Sequence, residues 1–407
     1  MAGSTDRLLT ALLAGIEREL PAAIELRREL HAQPELAHCE HRTAARIEAA
    51  LPAVASRAVA GSGRVALIAG QDAGAAAHAS LAPVAVRAEL DGLAVKERTG
   101  AAFAASGETM HACGHDVHMA ALVALTRAAH ELELPVGLLA VFQPSEEAHP
   151  SGAELLARET LSTPTPAAIV AAHIHPELAW GSVALDDGIV NASCDTFEIV
   201  VTGRPTHGAY PHLGRDPVLA LSEIVVALHA LSGRAIDPTH PASLSVGVLE
   251  AGSAENVIPA TARATGAIRA HDREDRETLR AMLDEVASGV AAAHGCECEL
   301  CVTEGEPALA NDATIVAAGR ALLGEAGLAT ATPPWRSCGS DDFAFFSALA
   351  PIAMAFVGLD GAPGFVSHPL HHPELLPPDE AVGAVARTLA VLYVGAAANV
   401  IARSPRA

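Results

Sequence analysis

Aromatic side chains are scarce: 2 Trp, 2 Tyr and 8 Phe make up 3% of the 407 residues. Half the chain is nevertheless hydrophobic, so a sizeable core is possible, but it must be aliphatic, built from Ala, Leu, Val and Ile. Basic residues are also few, 26 Lys and Arg against 48 Asp and Glu, for a net charge of −22. That balance argues against a nucleic-acid partner, which would want a basic face. It favours solubility and does not speak to the substrate, because a local site can oppose the global field. No run of about eighteen consecutive apolar residues occurs, so neither a membrane span nor a membrane partner is expected. No Gly-x-Ser-x-Gly elbow is present, which disfavours serine-based hydrolysis. There is no internal repeat and no low-complexity linker. Proline- and glycine-rich patches such as Gly361 to Gly364 read as turns, and the window Ala75 to Ala77 as a solvent loop. The 7 cysteines are an odd number. The start, MAGSTDRLLTALL, carries Asp6 and Arg7 before a short amphipathic run and reads as a first helix, not an export signal. A reducing cytoplasm is therefore expected.

What the chain does have is concentrated in Met110 to His118, MHACGHDVH, which packs a thiol, three imidazoles and a carboxylate together. Residues two apart point the same way in extended backbone, so Cys113 and His115 could reach one metal from a strand end or extended loop. Gly114 between them permits unusual dihedrals. From His118 the spacing of Leu122, Leu125, Ala129 and Leu132 predicts a helix.

Taken in order, residues 5 to 52 read as helical, broken by a turn at Pro34-Glu35-Leu36, with a second helix from about His41. Val65 to Ile68, Val84 to Ala88, Val136 to Phe142 and Ala167 to Ala172 read as buried strands. They end near Asp91, the pair Glu146 and Glu147, and His173. Strands alternating with helices imply an α/β fold, a mostly parallel sheet with helices on both faces. Ligands of such sheets collect beyond the carboxyl ends of the strands, where these residues sit. Two adjacent carboxylates allow one to bind a metal while the other takes the proton of the attacking water.

After about Asn191 the rhythm changes. Thr196 to Thr202, a helix from Asp216-Pro217 to about Leu231, Ser243 to Leu249, Ala262 to Ala270, a helix Arg273 to Ala293 and Cys296 to Val302 give β-α-β-β-α-β. This is the ferredoxin-like order. The expected organisation is a catalytic domain in two parts, 1–191 and 305–407, with an inserted domain at 192–304. An antiparallel sheet with an open edge makes pairing with a second copy plausible. The second part resumes with a helix Thr314 to Gly327, a strand Ile352 to Val357, the loop SHPLHHPELLPPDE and a last helix from about Asp379 to Val400.

The ordered motifs RRELHAQPEL, HACGHDVH, QPSEE, AHIHP, GRPTHGAYPHLGRDP, AENVIPA and the loop at Leu370-His371 cover nearly the whole chain. Through them it strongly resembles the aminoacylase, hippurate hydrolase and indole-acetyl-amino-acid hydrolase group, the amidohydrolase subgroup of metallopeptidase family twenty. The resemblance implies a metal-dependent hydrolase of N-acyl amino acids using two divalent ions, zinc, manganese or cobalt, in a zinc-exopeptidase-like fold. Cys113, His115, Glu147, His173 and His371 are its implied metal ligands, and Glu146 its general base and acid. Asp91 is the implied neighbouring aspartate. His207 is the implied oxyanion-holding histidine that reaches a partner subunit's site, which requires a homodimer. Asn256 and Arg269 are the implied contacts to the substrate's carboxylate end.

Glu89 stands where an Asp is usual, Gly92-Leu93-Ala94 where Ala-Leu-Pro is usual, Pro205-Thr206 where two small residues are commoner, and Asp341-Asp342-Phe343 for Glu-Asp-Phe. None of these departures is expected to touch a ligand. Among the other histidines, His38, His41, His78, His130, His229, His240 and His294 are expected to have no site role; His118, His175, His212, His368 and His372 lie near motifs. Cys296, Cys298 and Cys301 are read as ordinary strand cysteines. The competing readings are a dipeptidase or carboxypeptidase with the same metal site, nucleophilic hydrolysis by Cys113 or a serine, and a metal-holding protein without turnover. Intact Glu146 argues against the last.

Overall fold

The computed structural model describes residues 2–70, 81–160 and 165–404, without the side chains of 2–4, 159 and 160; the window Ala75 to Ala77 and His78 lie outside them. The chain divides into two compact units. Met1–Gly188, Ala310–Trp335 and Phe345–Ala407 form the first, and Ile189–Leu309 with Arg336–Ala344 the second. The short segment Arg336–Ala344 thus packs with the second unit, although the resumed α/β rhythm around it pointed to the first.

The first unit begins with α1 (Ala2–His31) and α2 (His41–Ala50). Leu9, Leu12, Ile16, Ala23, Leu26 and Leu30 of α1 are buried at three- and four-residue spacing. That spacing puts them on one stripe of a helix, and each large aliphatic chain buried there contributes about 1.5–3 kcal/mol. The strands are β1 (Ser56–Val59), β2 (Gly63–Ile68), β3 (Val84–Glu89), β4 (Leu138–Gln143), β5 (Ala168–Ala179) and β6 (Ser182–Ala184), with α3 (His115–His130) between β3 and β4. The sheet has the order β1-β2-β4-β3-β5, then the strand Ile352–Asp360, β6 and the strand Ala329–Thr330. Its centre, β4-β3-β5 and Ile352–Asp360, is parallel, while β1, β2 and β6 pair antiparallel towards the margins.

All six residues of β3 and of β4 are buried. Strands covered on both faces need continuous apolar runs, which is why those two were plain in the sequence. β1 and β6 were not, because their short segments have partly exposed positions and carry no such run. Helices α1, α3 and Glu380–Arg403 pack on one another above the sheet, and Glu380–Arg403 is apolar all round because it is a core helix.

In the second unit the sheet order is Ala242–Ala251, Thr261–Ala270, Ser193–Thr202, Glu297–Glu304, all antiparallel. Two helices, Pro217–Ala235 and Arg273–Ala293, bury Leu221, Ile224, Leu228, Leu279 and Leu283 against Phe197, Ile199, Val201, Ala264 and Ile268. Asp216 and Asp272 cap their first turns by accepting backbone N–H groups, Asp216 from its place before Pro217, where the sequence put the helix start. Two helices, Pro217–Ala235 and Glu380–Arg403, reach the length and hydropathy of a membrane span. Consecutive apolar residues were therefore too strict a criterion, since isolated polar residues interrupt both runs. Pro217–Ala235 leaves Leu219, Val226 and Leu231 exposed, and Ala242–Ala251 is an exposed edge strand. Cys298 is half-buried and Cys301 exposed, on opposite faces of Glu297–Glu304, and Cys296 is buried just before that strand.

Candidate metal centre

The loop into α3 turns differently from the extended arrangement read from the sequence. Gly114 is left-handed (φ 81°), and the helix starts at His115 itself, not at His118. A Cβ at Gly114 would come within 2.3 Å of the Ile174 side chain, so only glycine fits. This left-handed step, not an extended strand, turns Cys113 and His115 towards one point. His173 meets them from within β5, which runs on to Ala179 instead of ending at the histidine. Its Nε2 is 3.5 Å from Cys113 Sγ.

Glu146 and Glu147 follow β4. Glu146 Oε2 is 3.8 Å from His115 Nε2, and Glu147 Oε1 is 3.2 Å from His371 Nε2. Overlapping groups of ligand atoms, Cys113 with His115 and His173, His115 with Glu146 and Glu147, and Cys113 with Glu147 and His371, each span no more than 4.8 Å. All five implied ligands and the implied base therefore converge in the first unit. His371 has φ 67° and His38 and Ser145 have φ 65° and 52°. Left-handed backbone at non-glycine residues costs about 1–2 kcal/mol each and persists only where surroundings hold it.

The donor set fits a pair of divalent cations. His115 Nδ1 donates to the Asp91 main-chain carbonyl (2.8 Å) and His173 Nδ1 to the Ile174 carbonyl (2.7 Å), which presents Nε2 of both rings to the centre. Among the described residues His115 Nε2 is buried with no hydrogen-bond partner, and buried Glu147 Oε1 has its 3.2 Å ion-pair contact with His371 Nε2. Burial, then the charges of Glu147, Glu146 and Glu89, push the Cys113 thiol well above its ordinary range. A thiolate there needs a cation. Burial lowers the His115 pKa, but the hydrogen bond to Asp91 and the surrounding carboxylates raise it to about 10. The cluster thus attracts positive charge, which a metal would supply in place of a proton. His173, buried and beside His118, stays well below the ordinary imidazole range and keeps its lone pair.

Asp91 is fully buried and accepts the Glu147 N–H (2.9 Å), and its carboxylate is also held by the N–H of Glu146 and by His115. It orients both the Glu pair and a ligand histidine.

Of the departures, Glu89 comes near the predicted ligands without a hydrogen bond to one. Its carboxylate pairs with Arg87, accepts His118 Nδ1 at 2.9 Å, and lies within 4.8 Å of the ligand nitrogen of His173. The longer side chain carries the charge one methylene nearer the centre than an Asp would. His118 Nε2 accepts the Ile174 N–H at 3.0 Å. His118 therefore braces the residue after His173, a role that its place one turn along from His115 could have suggested. Arg27 and His31, on one face of α1, both bond Asp116 in the first turn of α3, at 2.7 and 3.0 Å. Arg27 also bonds the Pro377 carbonyl at 2.9 Å, tying the loop of His371 to that of Cys113.

His207, Asn256 and Arg269 belong to the second unit. His207 pairs with Val257 in a two-stranded ribbon, and the Gly208 N–H donates to the Asn256 carbonyl at 2.7 Å, so these two are brought together. His207 is exposed, and its Nδ1 accepts the Ala209 N–H at 3.0 Å, which leaves the proton on Nε2 as a free donor. Arg269 lies at the far end of Thr261–Ala270 and donates to the Cys338 carbonyl (3.2 Å) and Ser340 Oγ (3.3 Å). Within the unit it is not beside Asn256.

The sequence profile described as peptidase family M20/M25/M40 matches residues 85–393. The chain belongs to that family. It is 33% identical over 367 residues to N-acetyl-L-cysteine deacetylase of Bacillus subtilis, covering 89% of this chain and 84% of that protein. It is 32% identical over 314 residues to N-acetyldiaminopimelate deacetylase of Bacillus licheniformis, covering 76% and 82%. Among solved structures, a Bacillus subtilis protein described as a dinuclear metal-binding peptidase of the M20 family superposes with a TM-score of 0.76 at 29% identity, over 93% of this chain and 98% of that one. A Staphylococcus aureus structure described as a putative aminohydrolase shares the fold with a TM-score of 0.83 at 24% identity, over 95% and 98%. The chain is accordingly a metal-dependent amide hydrolase of this family.

Proposed function

We propose that the protein cleaves the amide bond of N-acyl amino acids, releasing a carboxylate and a free amino acid. The observation that carries this reading is the cation-demanding cluster of Cys113, His115, Glu147, His173 and His371 beside a second glutamate, in a chain similar over most of its length to two N-acetyl amino-acid deacetylases. These five residues would hold two divalent ions, with zinc, manganese and cobalt all suited to mixed thiolate, imidazole and carboxylate donors. Bound there, the ions polarise the scissile carbonyl and acidify water. Glu146, held by its N–H on Asp91, takes the proton from the attacking water and later delivers it to the leaving nitrogen. His207, with its Nε2–H free, donates to the oxyanion as it develops. Asn256 and Arg269 recognise the carboxylate of the amino-acid half.

We place His207 in a partner's site. The exposed edge strand Ala242–Ala251 and the exposed Leu219, Val226 and Leu231 of the second unit support this, as a surface suited to a second copy. The acidic balance and free thiols suit a cytoplasmic protein.

The test is a screen of N-acetyl, N-benzoyl and longer N-acyl amino acids against unblocked dipeptides, with zinc, manganese or cobalt supplied. Hydrolysis of the N-acylated set is the expected result. Turnover of free dipeptides alone would replace this reading by a dipeptidase.

A further inference from the structure

The residue before the base is held by a carboxylate that no catalytic role accounts for. Glu40 is fully buried and precedes α2, yet its side chain does not cap that helix. Instead Oε1 accepts the Ser145 N–H at 2.8 Å and lies 3.2 Å from the Ser145 hydroxyl, while Oε2 accepts the Ser62 hydroxyl at 2.7 Å. Ser145 is 2% exposed and left-handed, φ 52°. Its hydroxyl also accepts the main-chain N–H of His38 at 2.9 Å and lies 3.0 Å from His38 Nδ1, so His38 has a structural part that the sequence did not suggest. The Ser145 carbonyl accepts the Gly152 N–H at 3.0 Å. Every polar group of this residue is fixed.

The three groups Ser145, His38 and Glu40 do not form a nucleophilic array. The hydroxyl is buried, it already accepts an N–H, and the carboxylate bonds the serine and not the histidine. The arrangement serves orientation. Downstream of Ser145, the N–H groups of Glu146 and Glu147 go to Asp91. Two buried carboxylates, Glu40 before and Asp91 after, therefore bracket the Glu146–Glu147 pair. Without Glu40, a serine relaxes towards the ordinary φ of about −60°, and the chain leaving it swings Glu146 away.

We propose that Glu40 is a positioning residue for Glu146: by holding Ser145 in its left-handed conformation it aims the base. This rests on the reading of Glu146 as the base, and the experiment separates the two. Glu40→Ala, Glu40→Gln, Glu40→Asp and Glu146→Gln are compared on an N-acyl amino acid for kcat, KM, bound metal and Tm. Glu40→Gln keeps the acceptor for both Ser145 bonds and should stay within about threefold of wild-type kcat. Glu40→Ala should lose about tenfold or more in kcat with metal content and KM near wild type, because the lost interaction matters in the transition state. Glu40→Asp, one methylene too short to reach Ser145, should show the same loss and decides the matter if the alanine variant fails to fold. In a Ser145→Gly background, where glycine accepts positive φ unaided, Glu40→Ala should cost less.

Wild-type kcat in folded Glu40→Ala or Glu40→Asp, with Glu146→Gln inactive, would overturn the proposal and leave the base assignment standing. So would a fall in Tm or metal content with kcat per bound metal unchanged. An active Glu146→Gln would instead remove the base assignment itself.

Discussion

Raising the pH should remove a definable part of the stability by way of His31. This imidazole has no exposed surface and lies between Asp116 (Nδ1 to Oδ2, 3.0 Å) and Glu97 (Nε2 to Oε1, 3.1 Å). Burial by itself lowers its pKa, but the charge of Asp116 and the hydrogen bonds to Asp116 and Glu97 outweigh that and raise it from 6.5 to about 9. A group whose folded pKa is raised stabilises fully below its unfolded pKa and loses its contribution as pH rises through the folded value. The rise from 6.5 to about 9 corresponds to about 3 kcal/mol below pH 6.5. About 2 kcal/mol of that remains at about pH 7.5 and almost none at about pH 10. The assay is equilibrium urea unfolding of wild type and His31→Gln at both pH values. Every other titrating group is common to both proteins, so its contribution cancels in the difference. The wild-type advantage should shrink by about 2 kcal/mol between about pH 7.5 and about pH 10. A constant or widening gap would refute the account of the Arg27–Asp116–His31–Glu97 cluster as a charged one.

Arg27→Ala should cost about 3–5 kcal/mol in the same assay, because it leaves buried Asp116 short of a partner. Glu146→Gln should keep its metals, by elemental analysis, and lose about a hundred- to ten-thousand-fold in kcat, whereas Glu147→Gln should lose metal. Gly152→Ala should lower both Tm and activity, since a Cβ there would stand 1.7 Å from the Pro144 carbonyl oxygen at the root of the Glu pair. Glu146→Gln and His207→Ala homodimers should each be nearly inactive, yet mixing them should restore about a quarter of wild-type activity if His207 acts across the dimer. No recovery, with subunit exchange verified by mass spectrometry, would place His207 in its own subunit's site.

The parallel core was legible because β3 and β4 are buried on both faces and must read as apolar runs. The second unit's elements were legible through the helix start at Asp216-Pro217 and the period of its strands and helices. The candidate ligands were legible as residue types at strand ends, and their assignment came from resemblance. What was hidden depends on conformation or on long-range contact. The left-handed Gly114 that turns Cys113 and His115 together has no periodicity to announce it. Glu40 meets Ser145 across 105 residues of sequence and Arg27 meets Asp116 across 89, distances at which single-sequence reasoning has no purchase. Glu89 was visible as a departure, but only the fold shows that it faces His118 and His173.

The central claim is that amide hydrolysis here depends on metal held by Cys113, His115, Glu147, His173 and His371. Its most direct test is dialysis of the purified protein against a chelator, elemental analysis to confirm removal, and assay on an N-acyl amino acid before and after zinc, manganese or cobalt is returned. Activity should vanish with the metal and come back at about two ions per chain. Full turnover by metal-free protein would contradict the account.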